Sequence, residues 1–132
     1  MIEMRLESIK INDTGDRQYI ALGEKLGDRN LTIVIGYHEA QAIDRFVKGR
    51  SMQRPMTHDL LASLIEKTCS ELQRVEVVDL REGTFYAEIC IACQDGAEVR
   101  VDARPSDAIA LATALGKSIF VSDDVLRDAA IL

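Results

Sequence analysis

Residues 73–114 read "QRVEVVDLREGTFYAEICIACQDGAEVRVDARPSDAIALATA". Three runs in it, "QRVEVVDL", "TFYAEICIAC" and "AEVRVDA", are strand-like and are separated by "REG" and "QDG", whose residues favour tight turns. An antiparallel meander follows from that spacing. At Arg104-Pro105 the pattern changes, because proline fixes φ and pushes the residue before it toward extended geometry. A helix is therefore expected from about Pro105 to Leu115, with Ser106 or Asp107 serving the free amides of its first turn.

The chain has only two prolines, and the other, Pro55, stands in a second Arg-Pro pair, "RPMTHDLLASLIE". The segment "MTHDLLASLIEKTCSEL" predicts a helix with Thr57 as N-cap, Asp59 favouring its positive end, and Leu60, Leu61, Leu64, Ile65 and Cys69 on the buried face. Before it, "HEAQAIDRFVKG" predicts a helix ending at Gly49, with Ala40, Ile43 and Val47 on the apolar stripe. "LTIVIG" is short, β-branched and apolar, which predicts a strand buried on both faces. Ile2, Met4 and Leu6 alternate with charged residues, predicting a first strand paired with a second at about Gln18 to Gly23. After the central segment come a short strand "SIFV" and a last helix capped by Ser122. Strands, helices, strands and helices in that order predict an α+β fold, a largely antiparallel sheet with packed helices, in a single domain over 1–132.

The 132 residues carry a net charge of −6, with 29% charged and 47% hydrophobic residues. That balance suits a folded globular chain and opposes broad electrostatic capture of nucleic acid. With 5% aromatic residues and no Trp, stacking surfaces for bases are few. The main basic cluster is Arg45, Lys48, Arg50 and Arg54, which in isolation reads as a solvated helix end. The start "MIEMRLESIK" does not resemble a secretion signal, and no stretch approaches the roughly 20 apolar residues of a membrane helix. A cytoplasmic protein without membrane contact is expected. Three cysteines, with Cys90 and Cys93 three apart on a strand and so on opposite faces, point to packing and not to a disulfide or zinc site.

Helix initiation explains Pro105, Ser106 and Asp107, but leaves Asp102 and Arg104 over. Arg104 stands at the mouth of a helix, where amides and dipole favour an anion such as phosphate. His58, in the other Arg-Pro segment, is the best candidate acid or base. Glu39 falls near the stripe holding Phe46 and Val47 and needs a partner, either Arg54, Arg104 or a divalent metal. Together Glu39, Asp59, Asp102 and Asp107 offer oxygen ligands, His58 a proton carrier, and Arg54 and Arg104 phosphate contacts. That inventory suits metal-assisted phosphodiester hydrolysis. No HxxEH motif, Walker loop or Cys/His zinc spacing is present, and no Ser/His/Asp triad or Gly-rich phosphate loop can be named.

Four separated motifs, "IVIGYHEAQAI", "RPMTHDLL", "EGTFYAEI" and "DARPSDAIALA", resemble the bifunctional nuclease (BFN domain) family from about Leu31 to Leu126. The resemblance implies an α+β domain, often oligomeric, with nuclease activity on RNA and DNA. The matching polar positions are Glu39, Arg54, His58, Asp59, Asp102, Arg104, Ser106 and Asp107. Thr32 and Ser118 stand where that family usually has Pro, and Ala114 replaces an often basic residue, which weakens the phosphate contacts. The chain ends at Leu132, so no contribution is expected from the extra C-terminal module of some relatives.

The reading is a low-specificity nuclease of RNA or DNA. In it Asp102, Asp107 and Glu39 hold Mg²⁺ or Mn²⁺ or orient water, His58 with Asp59 moves protons, and Arg54, Arg104 and Ser106 bind phosphate. The alternative is a non-catalytic binding or assembly module with a structural Arg-Pro, Asp and His cluster. A homo-oligomer is expected in either case, because "AIALATAL" and several apolar strands offer more hydrophobic face than one small core buries.

Overall fold

The computed structural model describes residues 1–15 and 17–131. Strands β1 (Ile2–Lys10), β2 (Gln18–Glu24) and β3 (Asn30–Ile35) form one antiparallel meander, and β4 (Glu71–Arg81), β5 (Thr84–Ala92) and β6 (Glu98–Ala103) form another. Helices α1 (Tyr37–Val47) and α2 (Thr57–Lys67) connect them; α3 (Pro105–Leu115), β7 (Ser118–Val121) and α4 (Asp123–Ala129) follow. The short β7 enters between the meanders, antiparallel to β1 and parallel to β4, giving the sheet order β3-β2-β1-β7-β4-β5-β6. The fold is α+β, a curled and mostly antiparallel sheet with four helices among the described residues, as the sequence predicts. No helix among them is long and apolar enough to cross a membrane.

The turn at "REG" closes β4 on β5 through two residues with positive φ, Glu82 at 49° and Gly83 at 78°. That is the backbone twist two-residue hairpins prefer. Helix α3 starts at Pro105 and stops at Gly116, which adopts φ 67° in the left-handed region. Nearly every residue from Pro105 to Ala112 is buried, Asp107 being half-exposed. A helix apolar all round belongs inside, and α1, α2, β4 and β5 pack around α3.

Expectations for β3, α1 and α2 are corrected. "LTIVIG" is not buried on both faces: β3 is an edge strand with Leu31, Ile33 and Ile35 inward and Val34 outward and half-exposed. On α1, Ala40 and Ile43 are buried, but Val47 at the last turn is exposed. Helix α2 presents His58, Ala62 and Ile65 to the interior and leaves Leu60, Leu61 and Leu64 exposed. It stops at Lys67, because Cys69 turns the chain at φ 58° and Leu72 already belongs to β4. Its N-cap is Met56, not Thr57, and the Met56 N–H donates to Asp59 Oδ2 at 2.9 Å. Ser122 does cap α4, accepting from Val125 N–H at 3.0 Å.

Candidate active site

A cavity of about 780 Å³ lies between α1, α2, the start of α3 and the inner face of β5 and β6. Its polar lining includes His38, Glu39, Arg45, His58, Arg104 and Asp107. Its apolar lining includes Met52, Met56, Leu61, Leu64, Ile91 and Val101. Leu61 and Leu64, which the sequence places in the core, therefore line this open chamber, and Leu60 is exposed. A largely apolar concavity with a few convergent polar groups is the usual form of a small-ligand site.

The centre of the polar cluster is Asp107. His58 Nε2 lies 2.8 Å from Asp107 Oδ1, and Arg104 Nε donates to Asp107 Oδ2 at 2.9 Å. A carboxylate only accepts, so Nε2 carries a proton, and in the neutral ring Nδ1 keeps its lone pair. Among the described residues Nδ1 has no protein partner. The hydrogen bond to Asp107, aided by the charge of Glu39, holds the Arg104 guanidinium firmly charged. Arg104 Nη2 also stands 3.6 Å from Glu39 Oε2, one of the three partnerships open to Glu39 in the sequence. Gly36 makes room for it, since a Cβ there would collide with the Glu39 carboxylate.

Asp59 is arranged differently. Arg45 forks it, with Nη1 to Oδ1 at 3.3 Å and Nη2 to Oδ2 at 2.7 Å, while the Met56 amide takes the same Oδ2. Burial acts to raise the Asp59 carboxyl, and the hydrogen bonds from Arg45 and Met56 outweigh it, holding the group below the ordinary carboxylate range. The pair clamps α1 to the first turn of α2. His58 thus takes its carboxylate partner from α3 and not from its sequence neighbour. The signal for this was its helical spacing: His58, Ala62 and Ile65 lie on one face, the face toward α3.

Asp102 borders the cavity, but strand alternation places Val101 and Ala103 on the cavity side and Asp102 on the opposite face of the sheet. There it is in register with Glu88, which in turn faces Glu76, and its charge acts on Arg81. On this face Glu76, 5% exposed, accepts from Arg74 Nε at 2.6 Å and Arg100 Nη1 at 2.9 Å. Arg54 is exposed in the connection between α1 and α2 that also carries Met52 and Met56, and pairs with no carboxylate among the described residues. Ser106 is buried against a second cavity of about 820 Å³, between β3 and the start of α3. Arg104 borders both cavities.

The donors foreseen for a divalent cation, Asp102, Asp107 and Glu39, do not converge. Asp102 faces away, and the guanidinium of Arg104 already lies between Glu39 and Asp107. Among the described residues no group of three or more His, Cys, Asp and Glu side chains is placed to hold a metal. These residues do not fit a resident Mg²⁺ or Mn²⁺ of the kind foreseen; the positive charge at this point of the cavity comes from Arg104.

The sequence profile described as the bifunctional nuclease domain matches residues 20–132. Two uncharacterized proteins, from two strains of Mycobacterium tuberculosis, are each 39% identical over 132 residues, an alignment covering 100% of this chain and 78% of the relative.

Proposed function

Because the chain belongs to the bifunctional nuclease domain family, we propose that the cavity around His58, Asp107 and Arg104 cleaves phosphodiester bonds of RNA or DNA by hydrolysis. The observation that carries this reading is the His58 to Asp107 contact of 2.8 Å beside Arg104, whose side chain is 66% exposed. Asp107 fixes the ring and its tautomer, and Nδ1 of His58 takes the proton of the attacking water. Arg104 faces the phosphate and stabilises the charge that develops on its oxygens. Ser106, beyond Arg104 on the second cavity, and Arg54, in the loop beside the first, supply further phosphate contacts. Phosphate and apolar contacts carry no base-edge information, which accounts for low sequence specificity.

The test is cleavage of RNA and single-stranded DNA by highly purified protein, His58→Ala and Asp107→Asn, each with Mg²⁺, with Mn²⁺ and with chelator. Loss of cleavage in both variants supports the reading. Equal cleavage by all three proteins points to a contaminating nuclease and overturns it. The chelator arm decides whether substrate-borne metal takes part.

A second reading, a non-catalytic assembly module, is favoured by the exposure of Leu60, Leu61 and Leu64 on one face of α2. An inactive but oligomeric wild type would select it.

A further inference from the structure

We propose that the outer edge of β6 pairs with β6 of a second copy of this chain, antiparallel, about a two-fold axis through Val101. The inference goes beyond the nuclease reading and stands whether or not the cavity is catalytic. β6 ends the sheet, with β5 as its one neighbour, so its outer side presents unpaired backbone groups. Edges of this kind are normally blocked by proline, a bulge or an inward-pointing charge. Glu98–Ala103 contains no proline, pairs with β5 without a register shift, and carries Val99, Val101 and Ala103 on its inner side.

The sequence of the strand, "EVRVDA", selects the partner. About Val101, antiparallel pairing sets Val101 against itself, Val99 against Ala103, and Arg100 against Asp102, each in both directions. An axis through Arg100 would set arginine against arginine and Glu98 against Asp102. An axis through Asp102 would oppose two aspartates. Only the register centred on Val101 matches charge with charge and apolar with apolar over the whole of Val99 to Ala103.

The single chain shows what is left unsatisfied. Asp102 is exposed, makes no ion pair among the described residues, and stands opposite Glu88, where like charges are unfavourable. Arg100 uses Nη1 for both Glu76 and Glu88, and its Nη2 has no protein partner among the described residues. In the proposed pair, Arg100 of each copy reaches Asp102 of the other. On the opposite face, Val101, 41% exposed, lines the cavity with Leu61 and Leu64 of α2, 38% and 52% exposed, and Val99, 43% exposed, lies two residues along the same face of β6. Joining the edges covers this apolar surface and brings the two cavities side by side on one face of a continuous sheet. Because the contact is isologous it closes at two copies.

Three measurements test it on the full chain. Light scattering at micromolar concentration gives twice the 14.7 kDa chain mass. Asp102→Arg opposes two arginines across the axis while giving Glu88 an opposite charge within its own chain; it folds, with an unreduced melting temperature, and runs as a monomer. In a Cys69→Ser background, Val101→Cys forms an intermolecular disulfide on mild oxidation, since directly opposed antiparallel residues lie within disulfide reach. Val99→Cys alone does not, but crosslinks when mixed with Ala103→Cys. A monomeric wild type, a dimer indifferent to Asp102→Arg, a mass above two copies, or no crosslink at Val101 overturns the proposal.

Discussion

His58 and Asp107, forty-nine residues apart in the chain, meet at 2.8 Å where the first turn of α2 abuts the first turn of α3. Two helix entrances that follow Arg-Pro pairs are thus built against one another, Pro105 opening α3 and Pro55 preceding the Met56 cap of α2, and the contact is made by a side chain from each. Asp107→Asn keeps the shape but allows its amide to turn a donor toward the ring, which displaces the tautomer. A fall in kcat of about 10² to 10⁴ is expected for Asp107→Asn and for His58→Gln, read in single-turnover cleavage. An effect confined to KM would assign the pair to binding alone.

The Arg45 to Asp59 fork has a structural consequence. With side chains only 13% and 27% exposed, Asp59→Ala leaves a largely buried guanidinium without its partner. A loss of about 1–3 kcal/mol follows. The urea midpoint measures it, and a double-mutant cycle with Arg45→Ala should recover at least half of the loss as coupling. Additive effects would mean that the two residues act independently.

Glu76 sets an acid limit. Burial alone would raise its carboxyl, but the hydrogen bonds from Arg100 and Arg74 prevail and lower it. A carboxyl lowered on folding contributes stability that is complete above its unfolded value, about 4.3, and is lost as pH falls through the folded value. Glu76→Gln is expected to be less stable at pH 7 and to show a flatter decline below about pH 4.3. Parallel profiles for the two proteins in urea titrations from pH 7 to 3 would show that other carboxyls dominate.

With a net charge of −6, attraction for a phosphate backbone rests on few cations. If Arg54 and Arg104 make the principal contacts, the slope of log K against log salt for a single-stranded oligonucleotide is about −1.4, or about 0.7 for each contact. Arg54→Ala and Arg104→Ala should each lower its magnitude by about 0.7. A steep slope unaffected by both substitutions would locate the interface elsewhere.

The architecture was open to reading because its signals are local. The "REG" turn, the Pro105 start and the wholly apolar course of α3 each fix their own element. Burial was less open, since it depends on neighbours: "LTIVIG" becomes an edge, and Leu61 and Leu64 face a cavity, for reasons lying in the sheet order and in the packing of α2 on α3 and β4. For the site, Arg104 with Glu39 could be anticipated as one of several pairings. The exchange of partners could not, because which carboxylate reaches His58 and which reaches Arg45 depends on the relative placement of three helices. Asp102 offers the sequence a carboxylate beside Arg104 for a metal, whereas the period of a strand sends it to the other face.

The position of β7 also dictates an order of assembly. Ser118–Val121 separates β1 from β4 in the finished sheet, so neither meander can acquire its central neighbour until the last part of the chain has been synthesised. Until then Met4, Val75 and Val77 lack the wall formed by Ile119 and Val121, and two inner edges stay open. Contacts between residues over a hundred positions apart close late and slowly. A nascent chain held before Lys117 is expected to hold two meanders linked through the packing of α1 and α2 on α3, and the four residues "SIFV" convert them into one sheet.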